Sequence, residues 1–179
     1  MLTAFWEKVG PFPNPQETYP YHSLPLCQPA KLEHFHSEGF GETILGYDLI
    51  RSAMPVVFKE RRLPSPVCSK VFTPDEASQL RHAVEHEYWY QMFLDDLPLW
   101  GMVGEGQPGN TFVFTHSRLD IGYNGDRVIE VNLTAENPVT VRSGTATEFT
   151  YEVRRGEHEK TPPNLSFCPA ARSPVARPV

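Results

Sequence analysis

"TFVFTHSRLDIGYNGDRVIEVNLT", residues 111–134, decides the fold class of this 179-residue chain. Apolar and polar residues alternate along both halves, and Asn124-Gly125 divides them. A period of two sends successive side chains to opposite faces of a strand, and Asn-Gly at a two-residue turn is the strongest short-range hairpin signal. The stretch predicts two antiparallel strands. Leu119, Ile121 and Tyr123 share one face of the first; on the second, Val128 faces away from Ile129 and Val131.

Working outward, "TEFTYEV" (147–153) alternates again and reads as a further strand. Upstream, Thr73-Pro74-Asp75-Glu76 combines an N-cap, a proline at the first helical position and capping-box spacing. Ala77, Leu80, Val84 and Tyr88 then fall within about 80° of one another at the helical repeat. That stripe predicts a helix from Thr73 to near Tyr90, where the run 89–94 favours extended chain. "MPVVFKE" (54–60) reads as a strand, and "EGFGETILGYDLIRS" (38–52) as a turn followed by a short strand or helical turn. Five prolines between Pro11 and Pro25 forbid helix there and suit a strand edge or packed coil. The 18 prolines and 12 glycines imply many short elements. The expected fold is therefore mainly β with one well-signed helix (α+β), an antiparallel sandwich-like domain over residues 1–153. Residues 154–179 are rich in proline and arginine and poor in branched apolar residues, which predicts a disordered tail.

The formal net charge of −6 excludes a general nucleic-acid binder, which would show a basic face. No apolar run approaches the roughly 18 residues of a membrane span. The start of the chain lacks the pattern of a signal peptide. His82-Ala83-Val84-Glu85-His86 matches the zinc signature H-x-x-E-H, but both histidines lie opposite the apolar stripe, and no second ligand-bearing helix follows. His34 and His36 in "HFHSE" read as a solvated loop. No glycine-rich phosphate loop, G-x-S-x-G nucleophile elbow or cysteine-histidine pairing is present. Asp95 and Asp96 are adjacent, and neighbouring side chains on extended chain diverge, whereas paired catalytic carboxylates must converge. They read as a turn, with Trp100 packing down beside Gly101 and the aromatics of 88–90 in the core. Cys27 and Cys68 either close a loop of about 40 residues or remain two buried thiols; Cys168 shares no metal spacing with them. Asn132-Leu133-Thr134 and Asn164-Leu165-Ser166 are N-glycosylation acceptors.

"KVGPFPNPQETYPYHSLPLC" (8–27) and "YWYQMFLDDLPLWGMVGE" (88–105) closely resemble two signature stretches of the transmembrane 9 superfamily, the nonaspanins or endomembrane protein 70 family. "LGYDLIRS", "THSRLDIGYNGDRVIEVNLT" and "TEFTYEV" follow in that family's order. The resemblance implies a lumenal, non-enzymatic domain that precedes nine membrane helices. It further implies Golgi and endosomal membranes, roles in protein sorting and delivery of membrane proteins, and membrane-protein cargo or the family's own membrane bundle as partner. It implies no cofactor. Cys27 and Cys68 match family cysteine positions, so the lumenal setting implies their bridge. Met1 falls where the family is already inside a strand, and the sequence after Val153 departs from the family, so a truncated or altered product is expected. The competing readings are a carbohydrate- or protein-binding sandwich, marked by exposed aromatics on a sheet face, and a zinc or carboxylate hydrolase.

Overall fold

Asn124 closes one strand and Arg127 opens the next, so the hairpin turn falls on Gly125-Asp126, one residue later than the Asn-Gly reading placed it. Gly125 sits at φ +59°, the left-handed value that tight hairpin turns require and glycine adopts without penalty. The computed structural model describes residues 4–14, 16–28, 50–95 and 97–157. Two five-stranded sheets enclose one continuous core. The first contains β1 (Ala4–Pro11), β2 (Tyr19–Pro20), β3 (Ile50–Arg51), β5 (Tyr88–Leu94) and β6 (Leu97–Met102), in the order β2-β1-β5-β6 with β3 also on β1. The second contains β4 (Arg62–Val71), β7 (Gly104–Gln107), β8 (Asn110–Asn124), β9 (Arg127–Thr140) and β10 (Ala146–Glu157), in the order β4-β10-β8-β7 with β9 also on β8. Pairing is antiparallel except between β10 and β8, which run parallel from Thr150 and His116 to Glu157 and Tyr123. That long parallel partner extends β10 through Glu157, four residues past the boundary expected at Val153.

The helix α1 (Pro74–Glu85) begins as its capping box dictates. The Thr73 hydroxyl accepts from the Glu76 amide at 3.2 Å, and the Glu76 carboxylate accepts from the Thr73 amide at 2.9 Å. Those contacts, the backbone one first and the Lys70 ammonium second, hold the Glu76 carboxyl below its ordinary range. Ala77, Leu80, Ala83 and Val84 are buried, against β8, β7 and β5. The helix stops well before Tyr90. Glu87 turns left-handed at φ +53°, and Tyr88 starts β5, where it pairs with Pro11 of β1. Tyr88 fits the helical stripe by spacing, but a long-range strand partner outweighs the local pattern.

Three other expectations change. Residues 54–60 form no extended strand: fully buried Val56 makes only an isolated β-bridge, and Lys59 adopts φ +58°. The Tyr151 hydroxyl donates to the Pro55 carbonyl at 2.9 Å and so fixes that segment. On β9 the register shifts between Gly122 and Tyr123, leaving Val128 opposite Tyr123 and Val131 opposite Ile121. Both valines therefore pack on the core and Ile129 is exposed, because the bulge inverts the simple alternation. Finally, β4, with Pro64 and Pro66, is a strand that the sequence reading did not identify. It pairs with β10 alone, the edge position where proline is tolerated. Among the described residues no helix is long and apolar enough to cross a membrane.

Candidate binding groove

β5 alternates: Tyr88, Tyr90, Met92 and Leu94 point into the core, while Trp89, Gln91 and Phe93 point out. The hairpin to β6 places Trp100 across from Gln91 and Met102 across from Trp89. Leu99 and Gly101 are buried on β6, so Trp100 between them faces outward, 52% exposed. This corrects the expectation that Trp100 packs beside Gly101. The space over Gly101 belongs to the Tyr90 ring, which any Cβ at position 101 would strike. Tyr88 and Tyr90 are core residues as expected; Trp89 is half-buried and Trp100 is on the surface.

The chain between β1 and β2 adds Phe12, 66% exposed, with its ring 5.4 Å from that of Trp89 and tilted by 35°. Phe12, Trp89 and Trp100, with Lys8, Glu17 and Gln91, bound a groove of about 630 Å³. Glu17 is occupied within the domain: it accepts from the Tyr19 hydroxyl at 2.8 Å and the Asn14 amide at 3.2 Å. The Glu17 hydrogen bond, followed by its charge, raises the pKa of the Tyr19 phenol. The Gln91 carboxamide has no hydrogen-bond partner among the described residues. The groove thus combines aromatic faces, an amide with no partner among the described residues, and one charged residue of each sign, of which Glu17 is engaged within the domain.

The outer face of the second sheet differs. His116, Arg118 and Asp120 of β8 stand in a row between Glu136, Thr134 and Asn132 of β9 and Thr150, Glu152 and Arg154 of β10. Arg118 bonds to Glu136, to Asp120 at 3.0 Å and to the Thr134 hydroxyl at 3.3 Å. The Asp120 bond is the foremost reason its guanidinium pKa rises. Arg154 holds the buried Glu152 at 2.8 Å, and the His116 Nδ1 lies 2.8 Å from the Thr150 hydroxyl. Charges here satisfy one another both along and across strands.

The remaining sequence candidates are dispersed. Leu94 pairs with Leu97, and Asp95, which follows Leu94, is an exposed turn residue at φ +50°; Asp96 lies outside the described residues. His82 on α1 and His86 at its C-cap are exposed with ring centroids 4.0 Å apart, and the His86 Nδ1 lies 2.8 Å from the His82 carbonyl. Among the described residues no group of three or more His, Cys, Asp or Glu could hold a metal ion. His34, His36, Asn164 and Cys168 lie outside the described residues. Cys27, buried after the short 3-10 turn Tyr21–Ser23, is joined to Cys68 on β4 with a Cα–Cα distance of 5.9 Å. That link ties the N-terminal segment to the second sheet. Asn132 is exposed on β9, and its amide donates to Glu130 at 2.9 Å.

The sequence contained a signal for the groove. Once Asp95-Asp96 is taken as the two-residue turn, alternation in both directions sets Trp89, Gln91 and Trp100 on one face.

Comparison with known proteins gives one consistent result. The family described as endomembrane protein 70 matches residues 18–164. Transmembrane 9 superfamily member 2 of Arabidopsis thaliana is 35% identical over 170 residues, 88% of this chain and 28% of that protein. Transmembrane 9 superfamily member 1 of Bos taurus is 32% identical over 170 residues, 87% of this chain and 28% of that protein. The chain thus spans little more than a quarter of these relatives' length. No solved structure matches it significantly. From residue 18 onward the sequence follows this pattern across both sheets and α1, and the chain belongs to the endomembrane protein 70 family, the transmembrane 9 superfamily.

Proposed function

We propose that this chain is the lumenal, non-enzymatic domain of a transmembrane 9 protein of Golgi or endosomal membranes. In that setting it contributes to protein sorting and to the placement of other membrane proteins by recognising membrane-protein cargo. The alternative partner is the family's own membrane bundle. The family match over residues 18–164 is the observation that carries this reading. The joined pair Cys27 and Cys68 supports the oxidising lumen, and exposed Asn132 within Asn-Leu-Thr supports a glycan there. Asp95 at a turn and His82 and His86 on an exposed helix face favour recognition over hydrolysis.

The test follows the product of the native gene in cells. Endoglycosidase should increase its gel mobility, Asn132→Gln should remove one such step, and intact membranes should protect the domain from added protease. A product without glycan, accessible to protease from the cytosolic side and carrying free thiols at Cys27 and Cys68, would overturn the reading.

A further inference from the structure

We propose that the groove between Phe12, Trp89 and Trp100 binds a neutral oligosaccharide. The inference rests on the lumenal reading for the source of its ligand, because glycans of membrane-protein cargo are presented on that side. A sugar ring has an apolar face of C–H bonds and a rim of hydroxyls, so its site needs a flat aromatic platform beside groups that both donate and accept. Trp100 is such a platform, half its surface open, on a strand that fixes its position. Gln91 lies directly across the β5–β6 ladder from it, with a carboxamide that no described residue engages. Phe12 and Trp89 form a second aromatic wall beside the first.

Charge selects the class of ligand. The groove carries one lysine and one glutamate, and Glu17 is already held by Tyr19 and Asn14. With no net charge in the groove and a chain net charge of −6, anionic ligands such as sialylated glycans, phosphates and acidic peptides gain nothing there. The volume of about 630 Å³ suits a small oligosaccharide and lies within the ordinary range of ligand sites. A proline-rich peptide is the other ligand that aromatic grooves accept, but its proline backbone offers acceptors and no donors, so it would use the Gln91 N–H and leave the carbonyl oxygen unused.

The purified full chain is titrated with a free high-mannose oligosaccharide, with cellohexaose and with a decaproline peptide. Tryptophan fluorescence and saturation-transfer NMR report binding. Saturable binding of at least one of the two sugars, with Kd of about 1 mM or tighter, is expected. Trp100→Ala should weaken it about tenfold or more, and Gln91→Ala measurably, with both variants unfolding at the parent temperature. Absence of saturable binding to both sugars overturns the proposal, as does sugar binding unchanged in both variants or preference for decaproline. A product glycosylated at Asn132 that binds neither sugar refutes the groove assignment alone. Sugar binding by a product confined to the cytosol refutes the lumenal reading alone.

Discussion

Removing the link between Cys27 and Cys68 should destabilise the domain through its unfolded state. The two residues are 41 apart in sequence. For a loop of that length the chain-entropy relation gives roughly 13 cal/mol/K, or about 4 kcal/mol at 25 °C. Alanine is the suitable replacement at both positions. Cys27 is 5% exposed and packs in the apolar core, so a serine hydroxyl there would add a desolvation cost of about 1–3 kcal/mol unrelated to the cross-link. For a domain of this size, about 4 kcal/mol corresponds to a drop of roughly 8–15 °C in Tm. Calorimetry on the parent and on Cys27→Ala/Cys68→Ala measures the drop. Urea titration tests its origin: release of the loop lets the unfolded chain expand, so the m-value should rise in the variant. Equal Tm values, together with three titratable thiols in the unreduced parent instead of the single thiol of Cys168, would refute the reasoning. A lowered Tm with a lowered m-value would locate the effect in the folded state and refute the entropic account.

The remaining predictions concern single elements. Gly101→Ala should cost about 1–3 kcal/mol by chemical denaturation, because its Cβ meets the ring of buried Tyr90, which is itself packed edge-on against Tyr21 at 5.7 Å. Thr73→Ala should cost about 1 kcal/mol by removing the hydroxyl that accepts from Glu76, and circular dichroism should show early fraying of α1. Burial raises the phenol pKa of Tyr21 and, opposed in part by a Ser117 hydrogen bond, that of Tyr90. Both phenols are protonated in the fold, so their contribution is intact below the unfolded value near 10 and is lost as pH rises through the folded values. In an alkaline titration followed by phenolate absorbance, both should ionise only as far-UV dichroism reports unfolding, whereas exposed Tyr19 should ionise reversibly before it.

The legible parts of the fold were those whose cause is local. The start of α1 depends on Thr73, Pro74 and Glu76 within one turn, and the β8–β9 hairpin depends on Gly125 and the alternation beside it. Its register was not legible, since the bulge that turns Val128 inward depends on what β8 presents opposite. The end of α1 failed for the same reason: Tyr88 continues the helical stripe but is held by Pro11, over 70 positions away in the chain. Residues 54–60 have strand composition, yet burial of Val56 and its single β-bridge satisfy that composition without an extended strand. β4 was hidden by Pro64 and Pro66, which reduce strand propensity but are tolerated on an edge. The parallel β8–β10 pair has no sequence signature of its own. At the candidate site, the position of Asp95 at a turn was readable, but the core placement of Trp100 was not correct. It treated a large aromatic as inward by type, when its position relative to the turn determines its face.

The two outer faces of the sandwich show why Trp100 points to a ligand rather than to stability. On the second sheet, a column of like and unlike charges could have been left to solvent, yet Arg118 pairs with Glu136 across strands and with Asp120 along its own, and Arg154 pairs with Glu152 along β10. That face is complete in itself. On the first sheet, Leu99 and Gly101 already meet the demands of the core, Leu99 by burial and Gly101 by admitting Tyr90. The residue between them is free to be polar, and an exposed indole beside Phe12 contributes little to folding while adding apolar surface to water. A scattered exposed apolar residue requires no explanation. Aromatics converging from β5, β6 and the β1–β2 connection on a half-buried amide without a partner do, and a ligand that stacks and hydrogen-bonds at once supplies it.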